Sequence, residues 1–335
     1  MKKPLKTALK LLVTLTLVCL LYRKVDAQAF GEALTGIRWG VVPAFFAILL
    51  FNSWISAFRW GLLLRADGKP IPTSKLFVSY WIASFFNFFL PSNIGGDVYR
   101  IADVGQKSGT AMGSLASVFV DRLVGFLAMS FFGFVFPLLG LRIVPPEARA
   151  TLFIPIVVFL GFLCLAALVW QQTLIRWFVR FLPGRLRTKV EGLLDSFFAS
   201  ISAYARHPKA LWAAFGVSLV FQFLVFTAVW VVGTALRLPI PFTHYCVFVP
   251  FVCLLESVPL SINGIGLRDS GYVLFFKSVG LGTMICAATG QPYDPATSAA
   301  TLSLCYMGFT LLYACGGGLL FLRRLYSRKP SEPTP

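Results

Sequence analysis

Two short segments hold residues that could do chemistry: Pro91-Ser92-Asn93-Ile94-Gly95-Gly96-Asp97 and Pro259-Leu260-Ser261-Ile262-Asn263-Gly264-Ile265-Gly266-Leu267-Arg268-Asp269. Each interrupts an apolar stretch with Pro, Ser, Asn and Gly, then supplies an acid and an arginine, Arg100 in the first case and Arg268 in the second. Proline lacks the N–H that a helix interior needs and glycine disfavours helix, so both segments read as breaks. A helix restarting after a break presents free backbone N–H groups, and these attract anions. Corresponding Gly/Pro breaks in the two halves of an apolar chain point to a binding site within a membrane. The candidate binding residues are therefore Ser92, Asn93, Gly95, Gly96, Asp97 and Arg100, with Ser261, Asn263, Gly264, Gly266, Arg268 and Asp269 in the second copy.

Other charges stand inside apolar stretches: Arg59, Asp103, Lys107, Asp121, Arg122, Glu256 and Lys277. Ionisable groups in a membrane are costly and mark candidate sites, although they also pair with one another as structural locks. Asp97, Arg100 and Asp103 follow a three-residue spacing and share one side of a helix, where Asp–Arg pairs form. Arginine also suits forked contacts with phosphate, which favours a binding role for Arg100 and Arg268. Asp103, Lys107 and Lys277 read instead as structural or interfacial charges. Asp121 and Arg122 are neighbours and point about 100° apart on a helix. Asp121 then faces a packed helix and Arg122 answers an acid on a hairpin; the small stripe Ser114, Ser117, Asp121, Gly125 suits close packing. Glu256 is a candidate proton or counter-ion site.

Composition limits what these charges can serve. Of 335 residues, 57% are hydrophobic and 13% charged, with mean hydropathy +0.78. Soluble domains average about 25% charged residues, so the chain reads as membrane-embedded throughout. That reading also removes nucleic acid as the explanation for the net charge of +17; topology and anionic lipid explain it better. The seven cysteines form no Cys-x-x-Cys pair and there are two histidines, so no metal or other cofactor is expected. No nucleophile elbow, Walker loop or His-Glu-x-x-His occurs, and no catalytic residue is assigned.

The elements that must position the charges follow from hydropathy. Apolar segments near 5–22, 39–64, 108–141, 152–170, 210–236 and 297–322 approach or exceed the ~20 residues that span a bilayer. Segments 76–107 and 245–282 are each bent at a break into arms too short to cross alone, and read as re-entrant hairpins. Residues 1–335 thus form a single all-α membrane domain of about six spans and two hairpins. The N-terminal segment resembles a signal peptide, with Ala27-Gln28-Ala29 as a cleavage-like site, but Arg23 and Lys24 intervene and favour a retained first helix. Lys and Arg number 18 in the N-terminus and segments 65–75, 171–209 and 323–335, against 6 in the opposite loops 23–38, 142–150, 237–246 and 283–296. This bias places both termini in the cytoplasm. The units 39–141 and 210–322 then have opposite orientation, an inverted repeat joined by 152–170 and by an amphipathic cytoplasmic linker at 171–209. The tail 323–335 is polar.

The chain resembles the flippase-like family related to the transmembrane region of lysylphosphatidylglycerol synthases. The resemblance rests on Pro91 through Arg100, on Ser117-Val118-Phe119-Val120-Asp121-Arg122-Leu123-Val124-Gly125, and on Pro259 through Asp269, and covers about residues 8–325. It implies a bacterial or archaeal inner-membrane protein that translocates lipid. The third motif of the family usually ends in Glu, whereas Asp269 stands here. No soluble aminoacyltransferase domain follows residue 325, so aminoacyl transfer is not expected of this chain. The expected substrate is a phospholipid, glycolipid or polyprenyl-phosphate lipid. Rival expectations are a lipid-modifying enzyme subunit, or a membrane partner presenting lipid to a separately encoded soluble synthase.

Overall fold

The computed structural model describes residues 27–89, 95–108, 111–139, 183–257, 266–286 and 290–327, with isolated positions between 146 and 181. The expected helix at 5–22, the break residues 90–94 and 258–265 and, isolated positions apart, the expected helix at 152–170 lie outside the described residues.

Among the described residues the regular structure is helical, with one isolated bridge between Ile285 and Pro292. Its α-helices are α1 Ala27–Thr35, α2 Val42–Ala66, α3 Thr73–Phe89, α4 Gly95–Ser108, α5 Ala111–Leu139, α6 Gly184–Ala205, α7 Pro208–Ala235, α8 Phe242–Ser257, α9 Leu267–Ser278 and α10 Pro295–Ser327. Among the described residues four helical stretches are long and apolar enough to cross a membrane: Trp39–Ala66, Met112–Leu139, Pro208–Ala235 and Pro295–Ser327. Proline opens α7 and α10, where a missing N–H costs nothing. Asp294 caps α10, its carboxylate accepting the Thr297 N–H at 2.8 Å and the Thr297 hydroxyl at 2.6 Å. Helix α1 falls in the stretch 23–38 that the sequence reads as a loop; nine residues are too few for a clear periodic signal.

The arms flanking the breaks have 17, 14, 16 and 12 residues in α3, α4, α8 and α9. At 1.5 Å per residue even α3 extends only about 25 Å, short of the ~30 Å hydrocarbon core. Each arm therefore depends on longer helices beside it. Helix α3 packs on α10, α8 packs on α5, and α2 packs on α7. Within each half, the two arms pack together and the second arm rests on the helix that follows, α4 on α5 and α9 on α10.

The largest core lies among α2, α7, α8, α9 and α10, around Phe45, Phe226, Tyr245, Phe275 and Phe276. Phe248 stacks on Phe275 with ring centroids 4.4 Å apart, and Phe45 meets Tyr306 edge-on at 5.6 Å. A smaller core joins Trp60 and Leu64 of α2 with Leu76, Val104 and Val118. Another seats α6 and α7 against α5 through Tyr204, Ala214 and Val120. These cores fix the two arm pairs, and with them the charged residues.

Candidate functional site: two buried charge clusters

The two breaks restart their helices by different means. Gly96 lies where a Cβ would collide with the Ala83 carbonyl and the Asn87 side chain. Its N–H donates to Asn87 Oδ1 at 2.8 Å, so α3 caps the start of α4. Gly266 instead adopts φ +85°, in the region that disfavours any residue with a Cβ. Its N–H donates to the Asp269 carboxylate at 2.9 Å, so α9 caps itself.

Around the first break five helices contribute to one network. Asp121 of α5 is buried and accepts from Arg59 Nε of α2 at 2.7 Å, from Arg100 Nη2 of α4 at 2.8 Å and from the Tyr80 hydroxyl of α3. Asp97 accepts from Arg100 Nη1 at 3.2 Å and from Arg122 Nε. Arg59 also donates to Ser218 of α7 at 3.0 Å, and Trp60 Nε1 donates to Ser117 at 3.1 Å. The Arg100 guanidinium lies over two rings, 4.2 Å from the Trp60 centroid and 3.9 Å from that of Tyr80. Arg122 is the open member, with 35% of its side chain accessible against 4% for Arg100.

A cavity of about 280 Å³ opens on this network. Its charged wall is Arg59, Asp97, Arg100, Asp121 and Arg122; Ser53, Ser56, Tyr80, Ser84, Asn87 and Gln222 add hydroxyls and amides. Ala83, Gly125, Phe126, Met129 and Phe221 add apolar lining. Phe221 and Gly125 lie against the Arg59 guanidinium, so charged and apolar lining meet in one space.

The second cluster is smaller and involves α8, α9 and α10. Arg268 donates from Nε to Ser303 at 2.8 Å, and Ser303 in turn donates to Asp269. Arg268 also lies 3.5 Å from Glu256 and 3.8 Å from Asp269. Its residues do not line the cavity.

Of the residues singled out from sequence, Gly95, Gly96, Asp97, Arg100, Asp121 and Arg122 come together at the first cluster, and Gly266, Arg268, Asp269 and Glu256 at the second. Ser92, Asn93, Ser261, Asn263 and Gly264 lie outside the described residues. Arg122 pairs with a hairpin acid and Asp121 faces packed helices, the arrangement expected of each. Asp103 pairs with Arg324 of α10 at 3.4 Å, and Lys277 is exposed. The sequence reading missed Trp60, Tyr80, Ser218, Gln222 and Ser303, and left Arg59 outside the site. An aromatic or hydroxyl side chain in an apolar run looks like ordinary packing; the one available signal was the adjacency of Trp60 to Arg59.

Long apolar helices enclosing an arginine–aspartate network define a polytopic membrane protein with a polar site inside its helix bundle. The family model described as lysylphosphatidylglycerol synthase TM region matches residues 7–289, and the chain belongs to that family. No curated protein matches it. The membership ties the chain to membrane lipid metabolism, with lipid as its partner class.

Proposed function

We propose that the protein is a lipid translocase that carries a phosphate-bearing headgroup across the bacterial or archaeal inner membrane. The observation that carries this reading is the cavity beside the first break. It brings charged and apolar lining, the two chemistries of a lipid, into one space among helices long enough to span a bilayer. Both carboxylates on its wall already accept from arginines, which favours binding over a catalytic proton transfer.

In this reading Arg100 and Arg122 hold the phosphate. In the second half Arg268, Asp269 and the self-capped start of α9 lock the matching helix pair. The packing supports an inverted repeat: exchanging the two halves maps α3 on α10 to α8 on α5 and leaves α2 against α7 as the central contact. Rocking of one half against the other would then alternate access to the headgroup. Six spans, two re-entrant hairpins and cytoplasmic termini complete the arrangement, supported by the short arms and the threefold bias of basic residues.

Purified protein reconstituted into liposomes with a fluorescent phospholipid tests the reading. A membrane-impermeant reductant should quench the inner-leaflet label through wild-type protein and not through Arg122→Gln. Equal quenching in protein-free liposomes would overturn it.

A further inference from the structure

We infer that Glu256 of the second cluster is a proton-binding site, and that its loading and release couple movement of the second half to a proton gradient. The coupling rests on the translocase reading; the proton binding does not. Arg268 stands between two acids in different situations. Asp269 is committed, accepting the Gly266 N–H at 2.9 Å and the Ser303 hydroxyl. Glu256 makes no hydrogen bond among the described residues, and its side chain is 31% accessible against 2% for Asp269. Arg268 supplies a second observation. Its side chain is 6% exposed, yet among the described residues only its Nε donates, to Ser303 at 2.8 Å. Nη1 lies 3.5 Å from Glu256 Oε1 and forms no hydrogen bond there.

That open gap has a chemical meaning. An ionised carboxylate facing a free guanidinium fork closes to about 2.7–2.9 Å. A protonated carboxyl has no charge to draw the fork in, so the geometry is that of the loaded site. The cluster then sets one ionised acid, Asp269, against one arginine and is neutral, as an apolar interior favours. When Glu256 gives up its proton through its accessible face, the carboxylate draws Arg268 away from Ser303. Glu256 belongs to α8, Arg268 to α9 and Ser303 to α10, so the exchange shifts both arms and the long helix relative to one another. No other charge competes. Cys253 of α8, Tyr272 of α9 and Tyr306 of α10 bring thiol and phenol groups to Glu256. Of the other helices packed on α8, α5 holds Asp121 and Arg122, both engaged at the first cluster, and α7 holds Lys209 at its start. The sequence between Ser257 and Gly266 has no charged side chain. A metal cation suits the site less well, because Arg268 repels it and hard cations require several oxygen ligands.

Infrared spectroscopy of detergent-purified protein carrying isotope-labelled glutamate, titrated from mildly acidic to mildly alkaline pH, tests the proton site without requiring transport. The wild type should show a labelled protonated-carboxyl band that disappears as pH rises, and Glu256→Gln should lack it. Glu256→Asp, which keeps a carboxyl but not a labelled one, answers the same question should Glu256→Gln fail to fold. A wild type without a titrating band, or a variant that retains it, overturns the site. Liposomes containing the fluorescent phospholipid test the coupling. An imposed pH gradient should change the wild-type rate several-fold and leave Glu256→Gln at one rate with and without it. A wild-type rate indifferent to the gradient overturns the coupling and leaves the proton site standing. No movement under any condition overturns the translocase reading and the coupling with it, while the infrared band still decides the proton site.

Discussion

The two breaks share a pattern in sequence and differ in what they build. At the first, three arginines and two aspartates from α2, α4 and α5 surround a cavity, with α3 and α7 adding hydrogen bonds. At the second, one arginine stands among two carboxylates and a serine, and the capping acid belongs to the helix it caps. The first cluster carries a surplus positive charge beside open space. The second sets two carboxyl groups against one arginine, and Arg268 and Asp269 are closed in at 6% and 2% exposure. On the proposed reading, a repeated motif positions a binding wall in one half and locks a helix start in the other. The surrounding helices decide which.

The largest expected effect breaks the first cluster. Asp121→Ala leaves two buried guanidinium groups without their shared acceptor, and removing one partner of a buried pair costs about 3–5 kcal/mol. Thermal unfolding in detergent should show the largest loss of this series, with Asp121→Asn intermediate. The glycines come next. Gly96→Ala forces α3 and α4 apart and should cost about 1–3 kcal/mol, whereas Gly266→Ala acts through the backbone alone, at about 1–2 kcal/mol. A second-site change enlarging the space at Ala83 cannot rescue Gly96→Ala, because the collision is partly with backbone. Ser303→Ala at the second cluster should cost about 1–2 kcal/mol, since it removes one donor and one acceptor. It should leave lipid binding unchanged. The smallest effect on stability belongs to Arg122→Gln, whose side chain is the most accessible of its cluster; partly exposed pairs contribute about 0–1 kcal/mol. Loss of binding in that variant with nearly unchanged unfolding would separate the binding wall from the structural lock. Equal losses of stability in Arg122→Gln and Asp121→Ala would erase the distinction.

Much of this was legible in the sequence. Apolar length placed α2, α5, α7 and α10 within a few residues of their ends, because membrane spans are set by hydropathy over long windows. The breaks and the short arms followed from Pro and Gly, and the pairing of Arg122 with the first hairpin from the cost of an isolated intramembrane charge. The assembly of the clusters was not legible. Tyr80 reaches Asp121 across 41 positions, and Ser218 reaches Arg59 across 159. Such contacts depend on helix packing, which leaves no local period in the chain. Nor did spacing reveal that Arg100 would be committed to two acids while Arg122 kept an open face. Arg100 lies over the rings of Trp60 and Tyr80, which come from α2 and α3.

The central claim is that a lipid headgroup occupies the cavity at the first cluster. The most direct measurement is photo-cross-linking with a phospholipid carrying a diazirine in its headgroup, followed by mass-spectrometric mapping of the adducts. The account predicts adducts on polar cavity residues such as Ser56, Ser84 and Asn87, competed away by unlabelled phosphatidylglycerol and lost in Arg122→Gln. Adducts concentrated around Glu256 and Arg268, or spread evenly over the lipid-facing helices without competition, would contradict it.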